Sequence, residues 1–204
     1  MSGGYDIDKR MEQILGAPQR IAPLAQEDMD QEALDISIAM RKAFGIPENG
    51  SIPDVFATML NHPELFKIQC DVGMMFAARP AVPPRERELA VLRLAWLLGA
   101  PYEWGEHVGI GKNFGVTEDE IQRCKIGSSA GGWSEHEAAI LRGVEELHAD
   151  CMISDATWAV LAKSWDAKQL MEFPVLVGQY TSTAYQQNSL RMTLLPSNPG
   201  LSHG

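Results

Sequence analysis

The stretch that decides the fold is PPRERELAVLRLAWLLGAPYEWGEHVGIGKNFGVT, residues 83–117. Two prolines open a helix over Pro84–Leu98 that carries apolar residues nearly all round, which is typical of a central, buried helix. The breaker Gly99-Ala100-Pro101 ends it, and a second helix is predicted over Tyr102–Phe114. If the chain folds back at this breaker, the two helices form a hairpin.

Helical signals continue on both sides of this hairpin. Apolar spacing and breakers predict helices over Glu27–Phe44, which ends at Gly45, and over Asp54–Leu60, Leu65–Phe76 and Gln169–Met192. Further helices are predicted to begin after the capping boxes Thr117-x-x-Glu120 and Ser134-x-x-Glu137 and after Ser154. Pro174 should kink or divide the last helix. No segment alternates with the period of a strand. The sequence therefore predicts an all-α bundle of about eight helices. It forms a single domain over residues 21–195, with a flexible lead at 1–20 and a tail at 196–204.

The composition and charge of the chain argue against several classes of function. The chain has 204 residues, of which 45% are hydrophobic and 22% charged, as expected of a globular protein. It has 17 basic and 27 acidic residues, a net charge of −10 and no basic cluster, which argues against nucleic acid as a partner. Three widely spaced cysteines favour free thiols in a reducing compartment. With no signal peptide or membrane span, we expect a cytoplasmic protein without a membrane partner.

The candidate chemistry lies in the hairpin. Glu103 and His107 are four residues apart on one helix face, so the carboxylate could orient and charge-stabilise the imidazole as an acid–base unit. Glu88 could face the same space across the hairpin. Arg85 and Arg87 lie beside it and could bind a substrate carboxylate if they face a pocket. The alternative is that these residues form solvated ion pairs on helix surfaces.

Signals for cofactors and metals are weak. The Gly109, Gly111 and Gly115 spacing resembles a dinucleotide fingerprint but follows a helix, so a nucleotide is not predicted. Glu145-x-x-His148 could be half of a di-iron site, but the second motif is absent, so no metal is predicted. A polar patch around Tyr180 and Tyr185 could line a pocket or a subunit interface.

The motifs Arg85-Glu86-Arg87-Glu88-Leu89, Pro101-Tyr102-Glu103-Trp104-Gly105-Glu106-His107-Val108 and Gly115-Val116-Thr117 resemble the carboxymuconolactone decarboxylase family, whose superfamily includes the alkylhydroperoxidase AhpD. The resemblance extends from Arg20 to about Leu190 and implies an AhpD-like helical fold. In the peroxidase branch a glutamate is followed by Cys-x-x-Cys and a histidine. Here these positions hold Glu88, Ala100, Glu103 and His107, so neither thiol is present.

The resemblance therefore implies the decarboxylase-like branch, which needs no cofactor. The implied function is a carbon–carbon lyase acting on a small carboxylated lactone or a related intermediate of aromatic catabolism. His107 would be the proton donor, Glu103 would orient it and Glu88 would support it. Arg85, Arg87, Tyr102 and Trp104 are the predicted substrate-binding residues for a small anionic substrate.

The family also implies a homo-oligomer, whether dimer, trimer or hexamer. Two other functions stay open at this point. One is an AhpD-like thiol peroxidase, which is disfavoured because the Cys-x-x-Cys is missing. The other is a non-catalytic protein that binds a small molecule, since a fold does not fix a function.

Overall fold

All regular structure in the described part of the chain is helical. The computed structural model describes residues 4–44, 46–47 and 50–203. Its ten α-helices are α1 (Ile7–Leu15), α2 (Gln31–Phe44), α3 (Asp54–Met59), α4 (Pro63–Ala78), α5 (Pro84–Leu98), α6 (Pro101–Asn113), α7 (Glu118–Ile126), α8 (Glu135–Asp150), α9 (Asp155–Leu161) and α10 (Ala167–Leu190). Short 3₁₀ turns lie at Gln26–Asp28 and Gly200–Ser202.

The predicted hairpin of α5 and α6 is confirmed at the centre of the molecule. Gly99 adopts a left-handed conformation with φ +54°, which ends α5 at little steric cost, and Pro101 starts α6. Arg10 of α1 donates hydrogen bonds to the carbonyls of Leu98 and Gly99, so that the C-terminal end of α5 is capped. The turn thereby holds the two helices side by side.

Three apolar clusters surround this hairpin. The first joins one side of α5 to α4, α8 and α10, and includes the fully buried Phe76 and Phe173. The second joins the other side of α5 to α6 and α7, and includes Trp104. The third packs α2, α3 and the start of α4 around Leu60. Because α5 contributes to two of the three, it is apolar nearly all round, as its sequence predicts.

Both chain ends are more ordered than the sequence analysis predicts. The expected flexible lead contains α1, whose Ile14 is buried. In the expected tail Leu201 is fully buried, and the Asn198 side-chain amide donates to the carbonyl of Tyr102 at 2.9 Å and accepts from the amide of Gly200 at 2.8 Å. Isolated apolar residues in short polar segments carry too weak a periodic signal to predict this packing.

The remaining expectations hold with shifted bounds. Both predicted capping boxes are present, and a third box at Asp166 starts α10. Helix α10 continues through Pro174 and is not divided. The predicted stop of α2 at Gly45 lies outside the described residues. In the described ranges no helix is long and apolar enough to cross a membrane.

Candidate functional site

A buried carboxylate–imidazole pair across the hairpin forms the centre of the site. His107 on α6 lies with Nδ1 2.6 Å from Oε2 of Glu88 on α5. The Glu88 side chain is fully buried, and that of His107 is 11% exposed. The fold-back at Gly99 therefore brings these two predicted residues together.

Arg87 holds the second oxygen of the same carboxylate. Its Nε donates to Oε1 of Glu88 at 2.7 Å, and its Nη1 donates to the carbonyl of Phe76 at 2.7 Å. Burial by itself would raise the pKa of Glu88, but the charge of His107 and the hydrogen bonds from His107 and Arg87 outweigh burial and lower it. Glu88 is therefore ionised.

The charge of Glu88 fixes the proton on the imidazole. An ionised carboxylate can only accept hydrogen bonds, so Nδ1 of His107 carries the hydrogen. Among the described residues, none hydrogen-bonds to Nε2. The His107 ring packs against that of Tyr180 of α10 in a T-shaped arrangement, with ring centroids 5.0 Å apart and planes at 86°. Nε2 is thus the nitrogen that remains for proton exchange with a bound molecule.

Glu103 is not the partner of His107, contrary to the sequence analysis. Neither of its carboxyl oxygens has a hydrogen-bond partner within the described chain, and the side chain is buried. Spacing of i and i+4 only makes two side chains neighbours, and here Nδ1 is already bonded to Glu88. Burial raises the pKa of Glu103 well above its usual value.

The neutral form of Glu103 also follows from magnitudes. The first turn of a helix stabilises a carboxylate by about 0.3–1 kcal/mol. Removing an ionised carboxylate from water costs several kcal/mol when no partner compensates it. Desolvation therefore dominates, and Glu103 is a protonated carboxylic acid that can donate one hydrogen bond.

These groups line one cavity of about 430 Å³. His107, Glu103, Glu106 and Tyr102 come from α6, Tyr180, Thr183 and Gln187 from α10, and the apolar wall from Ile46, Pro53, Val55, Phe56, Ile110 and Leu195. Its volume lies in the range of about 300–1,000 Å³ that small-molecule sites occupy. The wall from α3 and α10 has no motif of its own in the sequence, except that the polar patch around Tyr180 had suggested a pocket.

Three predicted substrate-binding residues lie away from this cavity. Arg87 is held by Glu88 and Phe76, as described. Arg85 forms ion pairs with Glu120 and Glu137, the two residues that complete the capping boxes of α7 and α8. Trp104 is fully buried, with its ring centroid 5.0 Å from that of Trp96. Of that predicted set, only Tyr102 lines the cavity, because successive residues of a helix point in different directions.

Thiol and metal chemistry have no assembled site in the described residues. Cys70 lies on α4, Cys124 is buried in α7 and Cys151 is exposed at the end of α8, and all three are free. Burial raises the pKa of Cys124 to about 12 and also raises that of Cys70, so neither is an activated thiolate. No group of three or more His, Cys, Asp or Glu side chains within the described ranges could hold a metal ion.

Comparisons with solved structures identify the fold. A peroxidase-related alkylhydroperoxidase AhpD core from Ralstonia eutropha JMP134 matches with a TM-score of 0.71 and 12% identity, covering 88% of this chain and 94% of its own. A single-residue variant of the debrominase Bmp8, in complex with 2,3,4-tribromopyrrole, matches with a TM-score of 0.70 and 13% identity, covering 89% and 94%. An Agrobacterium tumefaciens protein of unknown function, ATU0492, described as an AhpD antioxidant defence protein, has a TM-score of 0.61 and 18% identity, covering 66% and 93%.

Sequence comparison adds the family. A search of curated proteins found no significant match. Residues 63–145, which run from the start of α4 into α8 and include the whole hairpin, match the model of the carboxymuconolactone decarboxylase family. The Glu88–His107 pair lies inside this segment. Residues 63–145 thus resemble the carboxymuconolactone decarboxylase family, on a chain with the AhpD-like helical fold.

Proposed function

We propose that the protein is a cofactor-independent acid–base enzyme that decarboxylates a small carboxylated lactone or a related β-keto acid. The observation that carries the proposal is the juxtaposition, in one cavity, of a neutral carboxylic acid, Glu103, and an imidazole, His107, fixed by a buried carboxylate. Acid–base enzymes use pairs of titratable groups in different environments. Here one group has no hydrogen-bond partner and the other is paired with a carboxylate.

The reaction follows from these two groups. The bond between the substrate carbon and its carboxylate breaks, and carbon dioxide leaves. The electron pair passes into the conjugated carbonyl, whose oxygen accepts a hydrogen bond from the Glu103 carboxyl once that side chain, whose oxygens are closed to solvent in this structure, turns into the cavity. Protonated His107 then delivers the Nε2 proton to carbon, and water restores that proton. The overall change consumes one proton and releases one carbon dioxide, with no oxidation or reduction.

The cavity suits such a reaction although it lacks the predicted arginine clamp. Among the described lining residues there is no lysine or arginine, so the imidazole of His107 is the one group of that lining that can take up a positive charge. A guanidinium bound to the departing carboxylate would stabilise the substrate more than the transition state, in which that charge disperses. An apolar wall around the carboxylate has the opposite effect and favours its loss.

The thiol-peroxidase alternative finds no support in the site. It needs a thiolate and a second thiol in contact. Cys70, Cys124 and Cys151 lie on α4, in α7 and at the end of α8, and none lines the cavity of His107. Glu103 occupies a position where the peroxidase branch, by resemblance, has cysteine. The likeness to AhpD-like structures therefore supports the fold of this chain and does not support a thiol mechanism.

The test is carbon dioxide release from a panel of carboxylated lactones and β-keto acids, followed by NMR of the product formed in deuterium oxide. We expect turnover with one deuterium on the decarboxylated carbon. His107→Ala and Glu103→Gln should each lower kcat by about 100-fold or more. The matched controls His148→Ala and Glu135→Gln, at exposed positions, should keep wild-type turnover.

Two results would end this proposal. One is full turnover by both site variants on a verified substrate. The other is a panel compound that protects the protein from heat but is recovered unchanged after long incubation, which would indicate a binding protein.

We also infer that the chain forms a homo-oligomer, as the resemblance implies. Met171, Val175 and Tyr185 of α10 are 73%, 56% and 61% exposed and lie along one face of the helix. Such a stripe of large apolar side chains is typical of an interface. A second copy of the chain would cover it.

A further inference from the structure

A second cavity adjoins the candidate site. It has a volume of about 200 Å³ and lies between α3, α4 and α10. Five lining residues are common to both cavities: Val55, Phe56, Tyr180, Thr183 and Gln187. These five side chains border both the space beside His107 and the space beside α4.

The second cavity has no charged side chain in its described lining. Phe56, Met59 and Phe66 form most of its apolar part, and the polar part consists of glutamine amides and two hydroxyls. Cys70 also lines it, and burial keeps that thiol protonated by raising its pKa. The ligand chemistry that fits such a space is uncharged and largely apolar.

Two buried amide oxygens in this lining have no hydrogen-bond partner among the described residues: Oε1 of Gln69 and Oε1 of Gln187. The Gln69 amide is oriented, because its Nε2 donates to Oε1 of Gln186 at 3.0 Å. A buried acceptor without a donor costs about 1–3 kcal/mol, so a ligand that supplies one hydrogen is favoured. Gln187 borders both cavities and therefore lies where such a ligand would pass.

Gly73 leaves part of this space open. It lies within α4 and lines the cavity, and a Cβ built on it would meet no atom within 4 Å. A glycine inside a helix costs about 1 kcal/mol relative to alanine. A Cβ at this position would therefore displace no protein atom, and a longer side chain built on it would occupy space of the cavity.

We propose that the substrate of the site is an elongated molecule whose carbonyl-bearing head lies beside His107 and Glu103. Its uncharged body, an aromatic ring or a similar apolar group with a hydroxyl or N–H, would fill the second cavity and donate to Gln69 or Gln187. This inference rests on the proposed function for the position of the head group. It assigns the substrate class to ring-substituted lactones or β-keto acids and not to compact ones.

The test is calorimetric binding of three probes: unsubstituted butenolide, its phenyl derivative and its para-hydroxyphenyl derivative. In the wild-type protein we expect the phenyl ring to lower Kd by about tenfold or more, from apolar burial. The hydroxyl should lower Kd by about a further fivefold, from one hydrogen bond to a buried acceptor.

The variants separate the parts of this proposal. Gly73→Leu should remove both gains and leave the Kd of the unsubstituted butenolide unchanged, whereas the matched control Gly73→Ala should keep both. Gln69→Met or Gln187→Met should remove the gain from the hydroxyl and keep the gain from the ring. Circular dichroism and thermal unfolding confirm that each variant is folded.

The proposal is overturned if the three probes bind equally, if none binds at millimolar concentration, or if Gly73→Leu leaves the gains intact. Its failure and that of the proposed function can be told apart. Carbon dioxide release from compact lactones with no preference for a ring removes this inference alone. Ring-dependent binding that Gly73→Leu abolishes, without any turnover, removes the decarboxylase and keeps the second cavity.

Discussion

The protonated state of Glu103 predicts a pH dependence of stability that one substitution should remove. The carboxyl is neutral in the folded protein because burial raises its pKa, whereas in the unfolded chain it ionises near its ordinary value of 4.5. A raised pKa in the folded state contributes stability that is fully present below the unfolded pKa. That contribution is lost as pH rises towards the folded pKa. Glutamine has nearly the same shape and no titration, so Glu103→Gln lacks this loss.

The magnitude follows from proton linkage. While the folded state keeps its proton and the unfolded state has released it, the free energy of unfolding falls by about 1.4 kcal/mol per pH unit. While Glu103 keeps its proton in the folded protein, the wild-type protein should therefore lose up to about 2.5 kcal/mol between pH 5 and pH 7 relative to Glu103→Gln. The unpartnered amide of the variant adds a constant offset, so the slope and not the absolute difference carries the information.

Urea unfolding at pH 5, 6 and 7, monitored by tryptophan fluorescence, measures this slope. Both proteins are used at the same concentration, so that any self-association affects them equally. Glu135→Gln is the control. The hydrogen bond and charge of Lys163 lower the pKa of the exposed Glu135, so it stays ionised throughout this range and should show no slope. A wild-type-to-Glu103→Gln difference that is flat from pH 5 to pH 7 would refute the neutral carboxyl, and with it the hydrogen-bond donor of the proposed reaction.

Four further substitutions have defined outcomes. Replacing Glu88 with glutamine removes the charge that orients the paired histidine. The substitution should lower kcat by about 100-fold or more and the free energy of unfolding by about 3 kcal/mol. Unchanged kinetics would contradict the role of Glu88. Gly105→Ala places a Cβ against the side-chain amide of Asn198 and should cost about 1–3 kcal/mol in urea unfolding. Gly109→Ala, on the same helix with open space around it, should be neutral or stabilising. Val175→Glu should lower the mass measured by light scattering if α10 forms the oligomer interface, and an unchanged mass would exclude that face.

The fold was predictable where local signals are strong. Prolines, glycines and capping boxes specify helix ends through backbone geometry alone, which is why α5, α7 and α8 begin as the sequence predicts. Helix α1 and the packing of Leu201 were missed because they depend on contacts with residues far along the chain. Pro174 removes one hydrogen bond from α10, yet the packing of its neighbours Phe173 and Leu176 keeps the helix continuous.

The sequence identifies the residues of the site but not which carboxylate pairs with His107. The hairpin turn made the meeting of Glu88 and His107 foreseeable. The i and i+4 rule favoured Glu103 as the partner of His107, because spacing shows proximity and not which carboxylate is desolvated. The cavity wall from α3 and α10 depends on tertiary packing, so only the polar patch at Tyr180 indicated it.

The negative charge of the protein limits how a carboxylated substrate can bind at the site. The chain has a net charge of −10, and in the described linings neither cavity has a lysine or arginine, so the protein offers little electrostatic attraction to an anion. A carboxylated substrate must therefore bind through its uncharged part, for which the second cavity offers apolar surface and two free acceptors. Its carboxylate then lies against the apolar wall of the cavity in a negatively charged protein, and this unfavourable interaction is relieved when the group leaves as carbon dioxide. Binding energy from the body of the substrate would thus be used at the reacting carbon, beside the neutral acid Glu103 and the imidazole of His107.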